Sequence, residues 1–176
     1  MSTRILLTGF APYRNYRVNS SLEAVLVAQQ LSRKKIHAHC LPVEYRKAHD
    51  EITGLLERIK PDVCLLTGQY RGCVLRLEKT AVKPIQHAAI PGYKTRHSKW
   101  PLRQALRVLN QEGFACRLSG DAGRYVCEST CWSALDFRVR HGYPVYLALL
   151  HVPLLSAEWP ADRLARAMLI TLDTIR

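Results

Sequence analysis

The sequence predicts an α/β domain: a mostly parallel central sheet with helices on both faces. Three observations carry that prediction. Short apolar runs of strand length alternate with longer segments whose apolar residues recur every three or four positions. Several of the runs close on Gly or Pro, residues that punctuate regular structure. The 176 residues, 48% apolar and 23% charged, have ordinary globular composition, which excludes disorder, collagen and coiled coil. That length argues for one domain, 1–176, because two independent cores would each be small.

Taken in order, Ile5–Thr8 is an apolar strand ended by Gly9, and Ser20–Leu31 reads as a helix with Ser20 or Ser21 as N-cap. Ile36–Leu41 is a second strand. Arg46–Ile59 places Ile52, Leu55, Leu56 and Ile59 at helical spacing and stops before Pro61. Val63–Leu66 is a third buried strand, closed by Thr67-Gly68, and Cys73–Val82 alternates loosely as an extended segment. A polar loop covers Ala88–Lys99, with Pro91-Gly92; His97 within it and His87 just before it are expected in solvent. Pro101 opens a helix to about Asn110, Ala115–Ser119 is a strand, and Cys127–His141 a helix. Val145–His151 is the strongest strand, and Ala161–Ile175 a final amphipathic helix.

Composition narrows the function classes. Lys and Arg number 26 against 14 acidic residues, a net charge of +12. The excess is compatible with nucleic acid, anionic surfaces or acidic ligands. It is nevertheless spread along the chain, with local groups at Arg33–Lys35 and at Arg138 and Arg140 placed where helices end. A basic solvated surface explains it, so nucleic acid is not the expected partner. No apolar run approaches the roughly 20 residues that span a bilayer, and the opening MSTRILLTGF is too short for a secretory core. A cytoplasmic protein is expected. The six cysteines include no CxxC pair, and no His or Cys set has zinc spacing. They are expected to be reduced, mostly core residues, with neither metal nor cofactor.

In open α/β sheets ligands gather at the carboxyl ends of the strands, and four segments deliver polar residues there: TGFAPY, TGQYRG, AGRYVC and LLHVP. Cys127 falls where a loop enters a helix, whose unpaired N–H groups and partial positive charge favour a thiolate. His151 ends the strongest strand, a rigid mount for a general base. Glu78 has the chemistry to orient that imidazole, as the acidic member of a triad does. Spacing alone leaves simpler roles open: a core thiol, a hydrogen-bonded histidine and a surface carboxylate.

Larger strings go further. ILLTGFAPY with Asn19, LPVEYRKA, KPDVCLLTGQYRG followed by LEKTAV, DAGRYVC and HVP resemble the pyroglutamyl peptidase I (pyrrolidone-carboxylate peptidase) family, in its order and over nearly the whole chain. The resemblance implies a three-layer α/β/α domain of phosphorylase/hydrolase-like type. It also implies a cofactor-free cysteine peptidase that removes N-terminal 5-oxoproline from peptides, often assembled as a homo-oligomer. Carried over by position, Cys127 is the nucleophile, His151 the base and Glu78 the orienting acid. Phe10, Tyr13 and Val126 stand at positions lining the lactam pocket, and Gln69 at a supporting one.

The chain also departs from the family pattern. Glu128 replaces an Asn after the nucleophile, and a carboxylate there disfavours a thiolate unless it points away. Ala89 stands where the family has an arginine thought to help bind the oxyanion or position the site, Lys83 replaces an Asn, and the stretch between Pro91 and Pro101 is short. These edits define the alternative expectation: a weakened or inactive paralogue that binds a pyroglutamyl-like ligand.

Overall fold

The structure is a computed structural model and describes residues 3–83 and 95–175. Its elements in chain order are β1 (Ile5–Phe10), α1 (Ser20–Leu31), β2 (Ile36–Leu41), α2 (Tyr45–Ile59), β3 (Val63–Gln69), β4 (Leu75–Glu78), β5 (Thr80–Val82), β6 (Thr95–His97), α3 (Leu102–Gln111), β7 (Cys116–Ser119), α4 (Val126–His141), β8 (Tyr146–Val152) and α5 (Ala161–Asp173). Six strands form the main sheet in the order β2-β1-β3-β8-β4-β7. Neighbours pair in parallel except at one junction, where β4 runs antiparallel to β8. The expected α/β architecture with a mostly parallel sheet is therefore the observed one.

Strand alternation sorts the interior into two layers. Ile5, Leu7, Val63, Leu65, Ala148 and Leu150 face α1, α3 and α5. Leu6, Phe10, Cys64, Leu66, Leu147 and Leu149 face α2 and α4. His151 lies between Leu150 and Val152 of the first layer, so parity sends its side chain to the α4 side. On β4, Leu75 and Leu77 also belong to the first layer; Arg76 and Glu78 accordingly project toward α4 too. No helix of the described residues is long and apolar enough to cross a membrane.

Several local expectations change. The N-cap of α1 is Asn19, not Ser20 or Ser21: its Oδ1 accepts from Ser21 N at 3.0 Å and Ser21 Oγ at 2.7 Å. Both serines are buried instead, because β1 passes so close that a Cβ on Gly9 would lie 2.6 Å from the Leu22 backbone. The segment 73–82 splits into β4 and β5, which belong to different sheets. Within the polar loop, Thr95–His97 is a strand, paired antiparallel with β5. Its Arg96 holds Asp136 of α4 at 2.6 Å. His97 is exposed, as expected. Arg138, Arg140 and His141 occupy the last turn of α4, where cations suit the dipole. Arg33–Lys35 lie past the end of α1, which has no basic residue in its last turn; there Lys34 pairs with Asp173 at 2.6 Å.

Candidate active site

Cys127 is the second residue of α4, and the loop before it turns sharply, with positive φ at Gly123 (90°) and Arg124 (57°). Left-handed backbone is costly for a residue with a Cβ. Glu128 offsets that cost: its Oε2 accepts from Arg124 N at 2.7 Å, and its Oε1 from Val82 N at 3.1 Å. The carboxylate is 3% exposed and both of its oxygens are committed to backbone N–H groups. Its role is to tie the nucleophile loop to β5. Tyr125, the N-cap, makes no side-chain capping bond, so among the described residues no cap side chain takes up the first N–H groups of α4.

Three side chains converge at this helix start. Cys127 Sγ lies 3.0 Å from His151 Nε2, and His151 Nδ1 lies 2.8 Å from Glu78 Oε1. His151 and Glu78 are 2% and 1% exposed. Glu78 is therefore no surface carboxylate; the antiparallel insertion of β4 beside β8 buries it against the imidazole. Burial works against a charged His151. Cys127 and the Glu78 carboxylate, each in hydrogen-bond reach of a ring nitrogen, outweigh it, lifting the imidazole from 6.5 to about 9. The ring is thus held in its protonated form at neutral pH. Burial holds the Cys131 and Cys64 thiols well above the ordinary range, pushes Cys116 up to about 12 and raises Cys40.

The other predicted residues take distinct places. Phe10 is buried in the α2/α4 layer, against which Val126 and Cys127 also pack. Its backbone N–H donates to Ser21 Oγ at 3.0 Å, fixing the end of β1. Gln69 Oε1 accepts from Ser20 N at 3.0 Å, so its side chain holds the start of α1. Tyr13 is 44% exposed, with the Arg14 guanidinium 5.1 Å over its ring. Lys83 sits 5.5 Å over the Trp132 ring. Ala89, His87 and the Pro91-Gly92 turn lie outside the described residues.

Two contributors escaped the sequence reading. Gly68 pairs with His151 in register, and a Cβ there would stand 3.0 Å from Cys127 Cβ and 3.3 Å from His151 Nε2. Arg76, on the other side of His151, brings Nε to 3.1 Å from Glu78 Oε1. The available signal was the Arg76/Glu78 spacing of two, which puts both on one face of a strand. For Gly68 it was a glycine inside a strand, between Thr67 and Gln69 after the apolar run 63–66.

Comparison with known proteins gives a consistent picture. A family model described as pyroglutamyl peptidase matches residues 3–92 and 76–170. The pyrrolidone-carboxylate peptidase of Pyrococcus furiosus is 25% identical over 172 residues, covering 88% of this chain and 83% of the relative. The Vibrio vulnificus enzyme of that name is 27% identical over 186 residues, covering 96% and 87%. Among solved structures, pyroglutamyl peptidase I from Bacillus amyloliquefaciens has a TM-score of 0.86 at 22% identity, over 99% of this chain and 95% of its own. That last likeness establishes the shared fold.

Proposed function

The chain belongs to the pyroglutamyl peptidase family, and on that premise we propose that it is a cysteine peptidase removing N-terminal 5-oxoproline from peptides, with Cys127 as nucleophile, His151 as base and Glu78 as orienting acid. One observation carries the assignment of roles: the continuous line from Sγ through both imidazole nitrogens to a buried carboxylate.

The steps follow from that line. His151 Nε2 holds the proton taken from Cys127, and Sγ attacks the 5-oxoprolyl carbonyl carbon. The oxygen becomes an oxyanion facing the N–H groups at the start of α4, donors of the kind that stabilise such charge. Collapse breaks the C–N bond, and the imidazolium gives its proton to the departing amine. His151 then deprotonates a water, which attacks the thioester, frees Sγ and releases pyroglutamate. Glu78 holds Nδ1 protonated throughout, so that Nε2 is the nitrogen facing sulfur.

Phe10 and Val126 offer apolar walls next to the nucleophile, suited to an uncharged lactam ring. Gln69 supports the pocket by fixing α1, and Tyr13 stands at its exposed rim. Glu128, the edit nearest the nucleophile, is turned to the backbone, which favours an enzyme over a protein that only binds. Residues 1–176 are read as one peptidase domain, acting in the cytoplasm on peptides and not on nucleic acid. The homo-oligomer that the resemblance implies is checked by light scattering of the eluted protein.

The deciding experiment follows fluorophore release from a pyroglutamyl-coumarin substrate under reducing conditions. Wild type turns it over and Cys127→Ala does not. A folded wild type without turnover from pH 7 to 9 would refute the proposal.

A further inference from the structure

Arg76 and His151 are directly opposite each other in the antiparallel pairing of β4 with β8. Like charges so placed repel, and a cationic imidazole beside a guanidinium needs a negative group between them. Glu78 is that group. Its Oε1 lies 2.8 Å from His151 Nδ1 and 3.1 Å from Arg76 Nε. The second approach is a charge contact without an aligned hydrogen bond, for Arg76 Nε has no hydrogen-bond partner among the described residues. Glu78 Oε2 has none there either, so this buried carboxylate depends on both cations for compensation.

The far side of the guanidinium reaches the segment that leads to the nucleophile. Arg76 Nη2 donates to Ser119 Oγ at 2.5 Å and to the Asp121 carbonyl. Its flat face lies 5.2 Å over the Tyr70 ring, which is itself 5.8 Å from the His151 ring. A single, largely buried guanidinium therefore touches the acid, the approach to Cys127 and the ring behind the base. Among the described residues, the charged and titratable groups facing His151 are Cys127 from α4, Glu78 and Arg76 from β4, and Tyr70 just past β3.

The geometry points to Arg76 as a positioning residue for the peptidase reaction, fixing Glu78 against His151 and the 119–125 segment against the sheet so that thiol, imidazole and carboxylate stay in line. The inference rests on the triad proposed above. Arg76 touches no reacting atom and acts through Glu78 and the nucleophile loop.

The test measures alkylation of Cys127 by iodoacetamide at pH 7, read by peptide mass mapping, together with kcat and KM for the coumarin substrate. Arg76→Gln is expected to slow alkylation about tenfold and kcat about 10- to 100-fold, with KM within about threefold. Arg76→Lys keeps the charge but not the fork, and is expected to be about threefold slower than wild type in alkylation. On top of Glu78→Gln, Arg76→Gln should slow alkylation clearly less than it does alone, because the share acting through that carboxylate is already lost and only its hold on the 119–125 segment remains. Wild-type alkylation in Arg76→Gln, or its full effect repeated on top of Glu78→Gln, overturns the inference. Should Arg76→Gln fail to fold, Arg76→Lys decides: slowed alkylation supports the inference and the wild-type rate overturns it. Alkylation needs no substrate, so a wild type that fails to cleave the coumarin peptide counts against the proposed function and leaves this readout standing.

Discussion

Replacing Gly68 by alanine tests how closely the nucleophile and its base depend on the space that β3 leaves them. Gly68 lies in extended strand backbone that any residue adopts, so the added methyl is the whole perturbation. Its Cβ would stand 3.0 Å from Cys127 Cβ, 3.2 Å from His151 Cδ2 and 3.3 Å from His151 Nε2. Ordinary contact begins near 3.4 Å, so Cys127 must retreat by about 0.4 Å and the imidazole by less. A misplacement of about 1 Å costs on the order of 100-fold in rate; on a logarithmic scale about 0.4 Å costs roughly 5- to 10-fold in kcat. Overpacking costs about 1–3 kcal/mol, while Gly→Ala recovers about 0.4–1 kcal/mol from the unfolded chain. The net is a loss of about 1 kcal/mol, or about 2–4 °C in Tm. Coumarin release and thermal melting, run side by side, read both numbers. Wild-type kcat with an unchanged or raised Tm would show that the dyad does not need the missing side chain.

Further outcomes follow from the same geometry. Gly54→Ala is the counterpart: its Cβ meets only Arg58 Nη1, at 3.4 Å, so α2 should gain about 0.5–1 kcal/mol with activity unchanged, seen as a higher Tm. Glu128→Asn installs the residue that the family resemblance implies here, yet the shorter side chain cannot serve both Arg124 N and Val82 N. A loss of about 1–3 kcal/mol in denaturant titration is expected, with lower activity, whereas a more active variant would contradict the structural role. His151 is raised from 6.5 to about 9, so activity that needs the imidazolium holds at neutral pH and falls as pH rises through about 9; Glu78→Gln should move that alkaline limb to lower pH. The same proton linkage stabilises the fold fully below about 6.5 and is lost as pH rises through about 9. The decline of Tm across that window should therefore be smaller in Glu78→Gln.

Sequence alone determined most of the elements, the split of 73–82 into β4 and β5 and the strand Thr95–His97 excepted, because periodicity and punctuation are local steric facts. A run such as Tyr146–Val152 is strand-like wherever it is placed, and parity along it already puts His151 on the face opposite Leu150. It also brought Cys127 to the first turn of a helix, where orphan N–H groups suit a thiolate. Resemblance supplied the three roles, and the fold it implied is the one observed. What only the tertiary structure decided is the company these groups keep. The antiparallel insertion of β4 between β8 and β7 turns Glu78 from an ordinary charged residue into a buried partner of His151 and sets Arg76 opposite the imidazole. Glu128, suspect from its position in the chain, finds one of its acceptors' partners 46 residues away on Val82. No local pattern encodes those choices, because the order of strands in a sheet and the partner of a buried charge are settled by long-range packing. A buried carboxylate must be compensated wherever the chain brings it, and only the folded chain says by whom.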